Sequence, residues 1–134
     1  MVTTVETFKN RDSRLLRQRG FNLIEFYNFG KITIDGKTYT NDVIIFPDHV
    51  EDGWWRKEGH RLSINDLKDV VQATPEALVL GTGYFGSMKV PNEVREYLKS
   101  KKIDLIVENT KEAYKTYNRL APTKKVVAAF HLTC

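Results

Sequence analysis

Short apolar runs bounded by turn residues alternate, through the second half of this chain, with segments whose apolar positions recur at helical spacing. The first clear signal is Lys31-Ile-Thr-Ile34, Asp35-Gly36 and Lys37-Thr-Tyr39, where Asp-Gly between β-prone runs predicts a hairpin closed by a type I′ turn. Asp42-Val-Ile-Ile-Phe46 is continuously apolar after its first residue and stops at Pro47, the pattern of a strand covered on both faces. Residues 47–62 read as a long irregular arm that holds both tryptophans, with short strands near Trp54-Trp55 and His60-Arg-Leu62. Ser63-Ile-Asn-Asp66 has the form of a capping box opening a helix that runs to about Val71.

Beyond it, Glu76-Ala-Leu-Val-Leu80 is a short buried strand that enters the glycine turn Gly81-Thr-Gly-Tyr-Phe-Gly86. Pro91 suits a first helical position, and Val94, Tyr97 and Leu98 share one face of the helix after it. Ile103–Val107 is the next strand. Asn109 and Glu112 cap a helix whose inner face is Ala113, Tyr114, Tyr117 and Leu120; Pro122 ends it, and Val126–Phe130 is the last strand, closed by His131-Leu-Thr-Cys134. Strands at 42–46, 77–81, 103–107 and 126–130 are therefore expected in one sheet, with helices near 64–71, 92–100 and 111–120 packed on it. This is an α/β chain with parallel pairing in its second half.

Length and charge narrow the reading. A chain of 134 residues is the size of one domain. Its net charge of +4 invites a nucleic-acid reading until the charge is located. Residues 1–20 hold five bases against Glu6 and Asp12, while the rest holds sixteen bases against fifteen acids. The expected organisation is a basic N-terminal extension at 1–20 and a single nearly neutral domain at 21–134. A nucleic-acid binder would carry its excess on the folded body, so no nucleic-acid partner is expected. No apolar run reaches the roughly 18 residues of a membrane span. Cys134 is the only cysteine, which disfavours disulfides and thiolate metal clusters and favours a reducing compartment. The arginine-rich start resembles a mitochondrial transit peptide, but Glu6 and Asp12 count against one. A cytoplasmic protein is expected, with a mitochondrial one as the alternative.

Candidate chemistry gathers in two places. Gly81-x-Gly83-x-x-Gly86 matches the dinucleotide fingerprint by spacing, and Glu108 stands about where an acid would meet a ribose. That mechanism needs a helix to open at the last glycine, and Ser87-Met-Lys-Val90 intervenes before Pro91, so no NAD or FAD cofactor is expected. An anion or small-ligand site at Gly81, Thr82 and Gly83 stays open beside a purely structural turn. The arm offers Arg56 as an anion clamp and His60 as a proton carrier beside a carboxylate. Its structural reading has Trp55 mostly buried as an anchor and Arg56 hydrogen-bonded to backbone carbonyls or to a carboxylate. His49 reads as exposed. No two of His49, His60 and His131 have helical ligand spacing, so no metal is expected. Cys134 lacks a base on its own side of an extended strand, and no complete acid, base and nucleophile set is present.

Taken in order, Lys31-Ile-Thr-Ile-Asp-Gly-Lys-Thr-Tyr39, Asp42-Val-Ile-Ile-Phe-Pro-Asp48, Trp55-Arg56, His60, Leu78-Val-Leu-Gly-Thr-Gly83, Met88-Lys-Val90, Thr110-x-Glu-Ala113, Tyr117-Asn118 and Val127-Ala-Ala-Phe-His-Leu-Thr-Cys134 carry a family resemblance. The chain resembles the "Mth nine-three-eight"-like domain from about Gly30 to Cys134, with residues 1–20 outside the resemblance. Relatives in that family include the adipogenesis-associated domain protein and a mitochondrial complex I assembly factor. The resemblance implies a three-layer fold with a mixed central sheet, helices packed on it and a small additional β layer. It implies no reaction, and in its mitochondrial branch it implies assembly of a respiratory complex through protein contacts. Two function classes stay open: a non-enzymatic protein-binding or assembly module, or a small-ligand or enzymatic site built from Arg56, His60, Gly81, Thr82 and Gly83. The first predicts an exposed apolar patch, the second a concave pocket where those residues meet.

Overall fold

The computed structural model describes residues 20–134. Its first element is an antiparallel three-stranded sheet of β1 (Ile24–Asn28), β2 (Lys31–Ile34) and β3 (Lys37–Tyr39). Asp35 and Gly36 join β2 to β3 with φ of 49° and 82°. Positive values at both central residues are what a type I′ turn requires, so the Asp-Gly signal is met.

The larger sheet is built from β4 (Val43–Ile45), β5 (Val50–Asp52), β6 (Ala77–Thr82), β7 (Asp104–Glu108) and β8 (Val126–His131) in the order β5-β4-β8-β6-β7. β6 runs parallel to β7 and β8, while β4 runs antiparallel to β8 and β5, so the sheet is mixed. Two-residue periodicity then assigns each side chain to a layer. Val43, Ile45, Ala77, Val79, Ala128 and Phe130 face a core shared with β1, β2 and the helix α3 (Thr110–Leu120). Ile44, Leu78, Leu80, Val127 and Ala129 face a second core under α1 (Lys68–Gln72) and α2 (Asn92–Ser100). The four expected strands share one sheet, the three expected helices pack on it, and the small β layer lies on the α3 side.

Local chemistry explains the helix starts. A 3-10 turn at Ile64–Leu67 precedes α1, and Asp66 Oδ2 accepts the Ser63 amide at 2.8 Å, as a capping box requires. Asn109 Oδ1 accepts the Glu112 amide at 3.1 Å and caps α3. Pro91 differs from expectation. Its ψ of 155° is extended, so it stands at the cap, and the helix begins at Asn92. The arm differs too. Its strand is Val50–Asp52, paired with β4, and Trp54-Trp55 forms none. Near His60 the structure has only single bridges, Glu58 to Arg61 and Arg61 to Lys89.

The extension expected at 1–20 lies, apart from Gly20, outside the described residues. The segment after Gly20 is anchored at once. Phe21 and Asn22 are buried, the Tyr117 hydroxyl donates to the Asn22 carbonyl at 2.8 Å, and Asn118 bonds both polar groups of the Ile24 backbone. A chain starting at Gly20 is therefore expected to melt like the full chain, and one starting at Leu23 several degrees lower. Calorimetry on the two truncations checks this. A large loss in the first would make residues 1–19 part of the fold.

Candidate functional site

The arm places its side chains by parity. Consecutive residues of an extended segment face opposite ways, so two adjacent tryptophans cannot both turn inward. Trp54 is the buried one, and Trp55 is 77% exposed, which corrects the expectation that Trp55 is the anchor. Trp54 Nε1 donates to the Asp66 carbonyl at 3.0 Å, and the Trp54 amide donates to the Asp42 carbonyl at 2.7 Å. Arg56 shares the inward parity of Trp54, and its guanidinium carbon lies 4.6 Å from the centre of that indole. Its Nε and Nη2 both donate to the Gly59 carbonyl, at 3.3 and 3.0 Å, and Nη2 reaches Asp42 Oδ2 at 2.9 Å. Arg56 thus takes the carbonyl and the carboxylate expected of it.

The arm leads to two residues, Asp42 and His131, whose partnership the sequence did not reveal. Asp42, just ahead of β4, accepts the Leu132 amide on Oδ1 at 2.7 Å and His131 Nδ1 on Oδ2 at 2.8 Å. Burial pushes the pKa of Asp42 up, but the hydrogen bonds from His131 and Leu132 and the charges of His131 and Arg56 outweigh it. The net result is a carboxyl held below its usual value. His131 ends β8 and is buried, with Arg56 Nη2 3.2 Å from its Nδ1 and the His60 ring edge-on at 5.5 Å. Val43 pairs with Phe130, so Asp42 and His131 are the next cross-strand neighbours. The available signal was a single polar residue at the end of each of two buried apolar runs.

The glycine turn closes the other side. Thr82 pairs with His131 across β6 and β8. Gly83 has φ of +107°, and a Cβ there would stand 2.8 Å from His131 Cδ2 and 2.8 Å from the Thr133 carbonyl. A Cβ on Gly81 would stand 2.7 Å from Thr110 Oγ1 and 2.8 Å from Phe130. These glycines serve close packing and, at Gly83, a backbone shape that side chains resist. The Gly83 amide donates to Thr110 Oγ1 at 2.9 Å, Thr110 Oγ1 donates to the His131 carbonyl at 2.7 Å, and Thr82 Oγ1 donates to the Glu108 carbonyl at 3.2 Å. Arg56, His60, Thr82 and Gly83 do come together, and Gly81 sits one strand position behind them against Phe130. They meet around an imidazole, which fills the place where a cleft was expected. Two polar atoms in this cluster, Arg56 Nη1 and His131 Nε2, are buried without a hydrogen-bond partner.

Elsewhere, His49 is exposed, bonded to Asp48 at 2.8 Å and stacked on Phe46. Cys134 is exposed. Among the described residues no group of three or more His, Cys, Asp or Glu side chains converges, and no helix is long and apolar enough to cross a membrane. A cleft of about 390 Å³ beside Trp55 meets one of about 500 Å³ at Glu51 and Asp69. Burial, followed by the hydrogen bond and charge of Asp69, pushes the Glu51 carboxyl up.

A second exposed apolar surface, apart from Trp55, lies on two turns. Phe29, between β1 and β2, is 49% exposed and Phe85, in the glycine turn, 70%. Tyr84 sits within 5.8 Å of the Phe29 ring and 5.0 Å of the Phe85 ring, and Phe29 and Phe85 are 6.3 Å apart. Lys111 Nζ caps Tyr84 at 4.4 Å. The last residues hold the two turns side by side, since the Gly30 amide donates to the Leu132 carbonyl and the Tyr84 amide to the Thr133 carbonyl, each at 2.8 Å.

Known proteins share this architecture. The pattern of the family described as "Protein of unknown function (DUF498/DUF598)" matches residues 24–131. A conserved hypothetical protein from Pyrococcus horikoshii is 28% identical, with a TM-score of 0.72 over 83% of this chain and 98% of its own. The structure of MT938 is 22% identical, with a TM-score of 0.70 over 84% of this chain and 99% of its own. A Bordetella pertussis protein described as a Mth938-like domain is 20% identical, with a TM-score of 0.59 over 83% of this chain and 85% of its own.

Proposed function

The chain belongs to the DUF498/DUF598 family of proteins of unknown function, as its likeness to the Mth938-like domain implied, and from that premise we propose that it is a non-enzymatic contact module. It docks another protein through the aromatic face of Phe29, Tyr84 and Phe85. The observation that carries the reading is the exposure of Phe29 and Phe85 on adjacent turn tips, where both rings touch the partly buried Tyr84. Aromatic residues concentrate binding energy at protein interfaces, and a cationic neighbour such as Lys111 supplies a polar rim. The competing site at the Gly81–Gly83 turn is weakened because Thr110 already engages the Gly83 amide. Help in assembling a larger complex is the form of contact that the family resemblance suggests. A reducing compartment such as the cytoplasm suits a chain whose only cysteine is Cys134.

The test is comparative capture from an extract of the cells that express the protein. The full chain and a Phe29→Ser/Phe85→Ser variant of matching melting temperature serve as baits. Two hot-spot truncations are expected to lower capture of the specific partner at least about tenfold. Equal capture by both baits would remove the aromatic face from the function.

A further inference from the structure

Among the described residues the two sheets have four edges, at β1, β3, β5 and β7. β3 and β5 have three residues each, and on β1 Asn118 bonds both polar groups of the Ile24 backbone. β7 differs, with five residues and a hydrogen-bonded strand on one side only. Its Asp104 amide donates to the Glu76 carbonyl at 3.0 Å, towards β6. Backbone groups alternate sides along a strand, so those of Ile106 and Glu108 also face β6, and those of Leu105 and Val107 face outward. The side chains of Leu105, Ile106 and Val107 are only partly buried. An open row of donors and acceptors among apolar side chains is a template for a further strand.

The chemistry beside this edge selects what would pair with it. Leu105 and Val107 point to the core under α1 and α2, and Ile106 to the other core. On the α2 side a cleft of about 390 Å³ is lined by Arg95, Lys99 and Lys102 with Ile103 and Leu105, and Asp104 is the one acid among its lining residues. The three bases are exposed, and among the described residues none has a carboxylate within ion-pairing distance. A strand added to β7 sets the residue beside Leu105 on the α2 side, facing these bases. Its next residue lies beside Ile106 on the face that carries Glu108, where an apolar side chain suits better than an acid. We propose that β7 and the cleft beside α2 bind an extended acidic segment of another protein, added to the sheet as an edge strand with carboxylates alternating with apolar residues. The backbone ladder holds the segment, and Arg95, Lys99 and Lys102 select its charge. A second copy of the chain fits less well. The two-fold register that pairs Leu105 with Val107 sets Asp104 beside Glu108, acid against acid. Asp104 pairs with Ala77 and Glu108 with Gly81, so the start of β7 lies at the opposite end of the sheet from the glycine turn. The site is separate from the aromatic face, and the failure of either leaves the other standing.

The probe is a short capped peptide of alternating glutamate and valine, titrated into the full chain while the backbone amides are followed by NMR. Saturable binding is expected, with hydrogen exchange at the Leu105 and Val107 amides slowed at least about tenfold as the ladder closes. Arg95→Glu/Lys99→Glu alters two exposed helix positions. It should weaken the peptide at least about tenfold and admit the matching lysine–valine peptide in its place. Val107→Pro removes an outward-facing amide, a change that an edge strand tolerates, and should abolish binding. The wild-type and charge-reversed measurements decide the matter whether or not the proline variant folds. No saturable binding, equal affinity of the wild-type chain for the lysine–valine peptide, or binding that leaves the Leu105 and Val107 amides unprotected would each overturn the site. Protection of those amides without peptide, rising with protein concentration, would give the edge to a second copy and overturn it as well.

Discussion

Replacing Trp54 by alanine is expected to lower the unfolding free energy by about 3–5 kcal/mol, and the same change at Trp55 by no more than about 0.5 kcal/mol. Trp54 belongs to the core under α1 and α2, with Ile44, Leu62, Leu67 and Leu80. Truncating it opens a cavity, leaves the Asp66 carbonyl without its indole donor and takes the stacking surface from the Arg56 guanidinium. Trp55 is 77% exposed and loses little on truncation. Urea unfolding of the two variants measures the contrast. Equal stabilities, or a larger loss at Trp55, would overturn the placement of the arm.

The same pair shows where sequence reading stops. Val43–Ile45, Ala77–Thr82 and Val126–His131 were legible because a run buried at every position has to be covered on both faces, whatever covers it. Trp54-Trp55 was not, because the identity of two tryptophans says nothing about parity in an arm without a regular period. β1 went unread for a related reason. Its register shifts between Ile24 and Phe26, so Phe26 points outward at 46% exposure while Tyr27 is buried, and the alternation that marks a strand is broken.

The candidate site was half legible. Arg56 and His60 stood out as charged or titratable residues in an aromatic arm, and the glycines stood out by spacing. Asp42 and His131 were hidden because they are far apart in sequence and meet only when β4 lies beside β8. Nothing in the composition of either strand encodes that order. The glycine spacing was misleading in a physical way: Gly81 is needed against Phe130 and Thr110, and Gly83 against His131, with no ligand required in either case.

Among the described residues, Asp42 should carry the largest electrostatic effect. Asp42→Asn is expected to cost about 3–5 kcal/mol, because it leaves the Arg56 guanidinium buried with no counter-charge. Its pH signature has a definite sign. The folded pKa lies below the ordinary value, so the unfolded chain takes up the proton more readily. The stabilisation is therefore complete above about pH 4 and fades as the pH falls through the lower folded value. Asp48, paired with His49, acts in the same direction, and Glu51, whose carboxyl is pushed up, acts in the opposite one. Both are present in the variant, so the wild-type minus Asp42→Asn difference isolates Asp42. Urea unfolding of both proteins from about pH 6 down to about pH 3 should show that difference shrinking at the acid end. Adding Arg56→Met to Asp42→Asn should recover part of the loss, since an apolar replacement removes the stranded charge itself. A loss below about 1 kcal/mol for Asp42→Asn, or a difference that does not change with pH, would mean that Asp42 does not compensate Arg56.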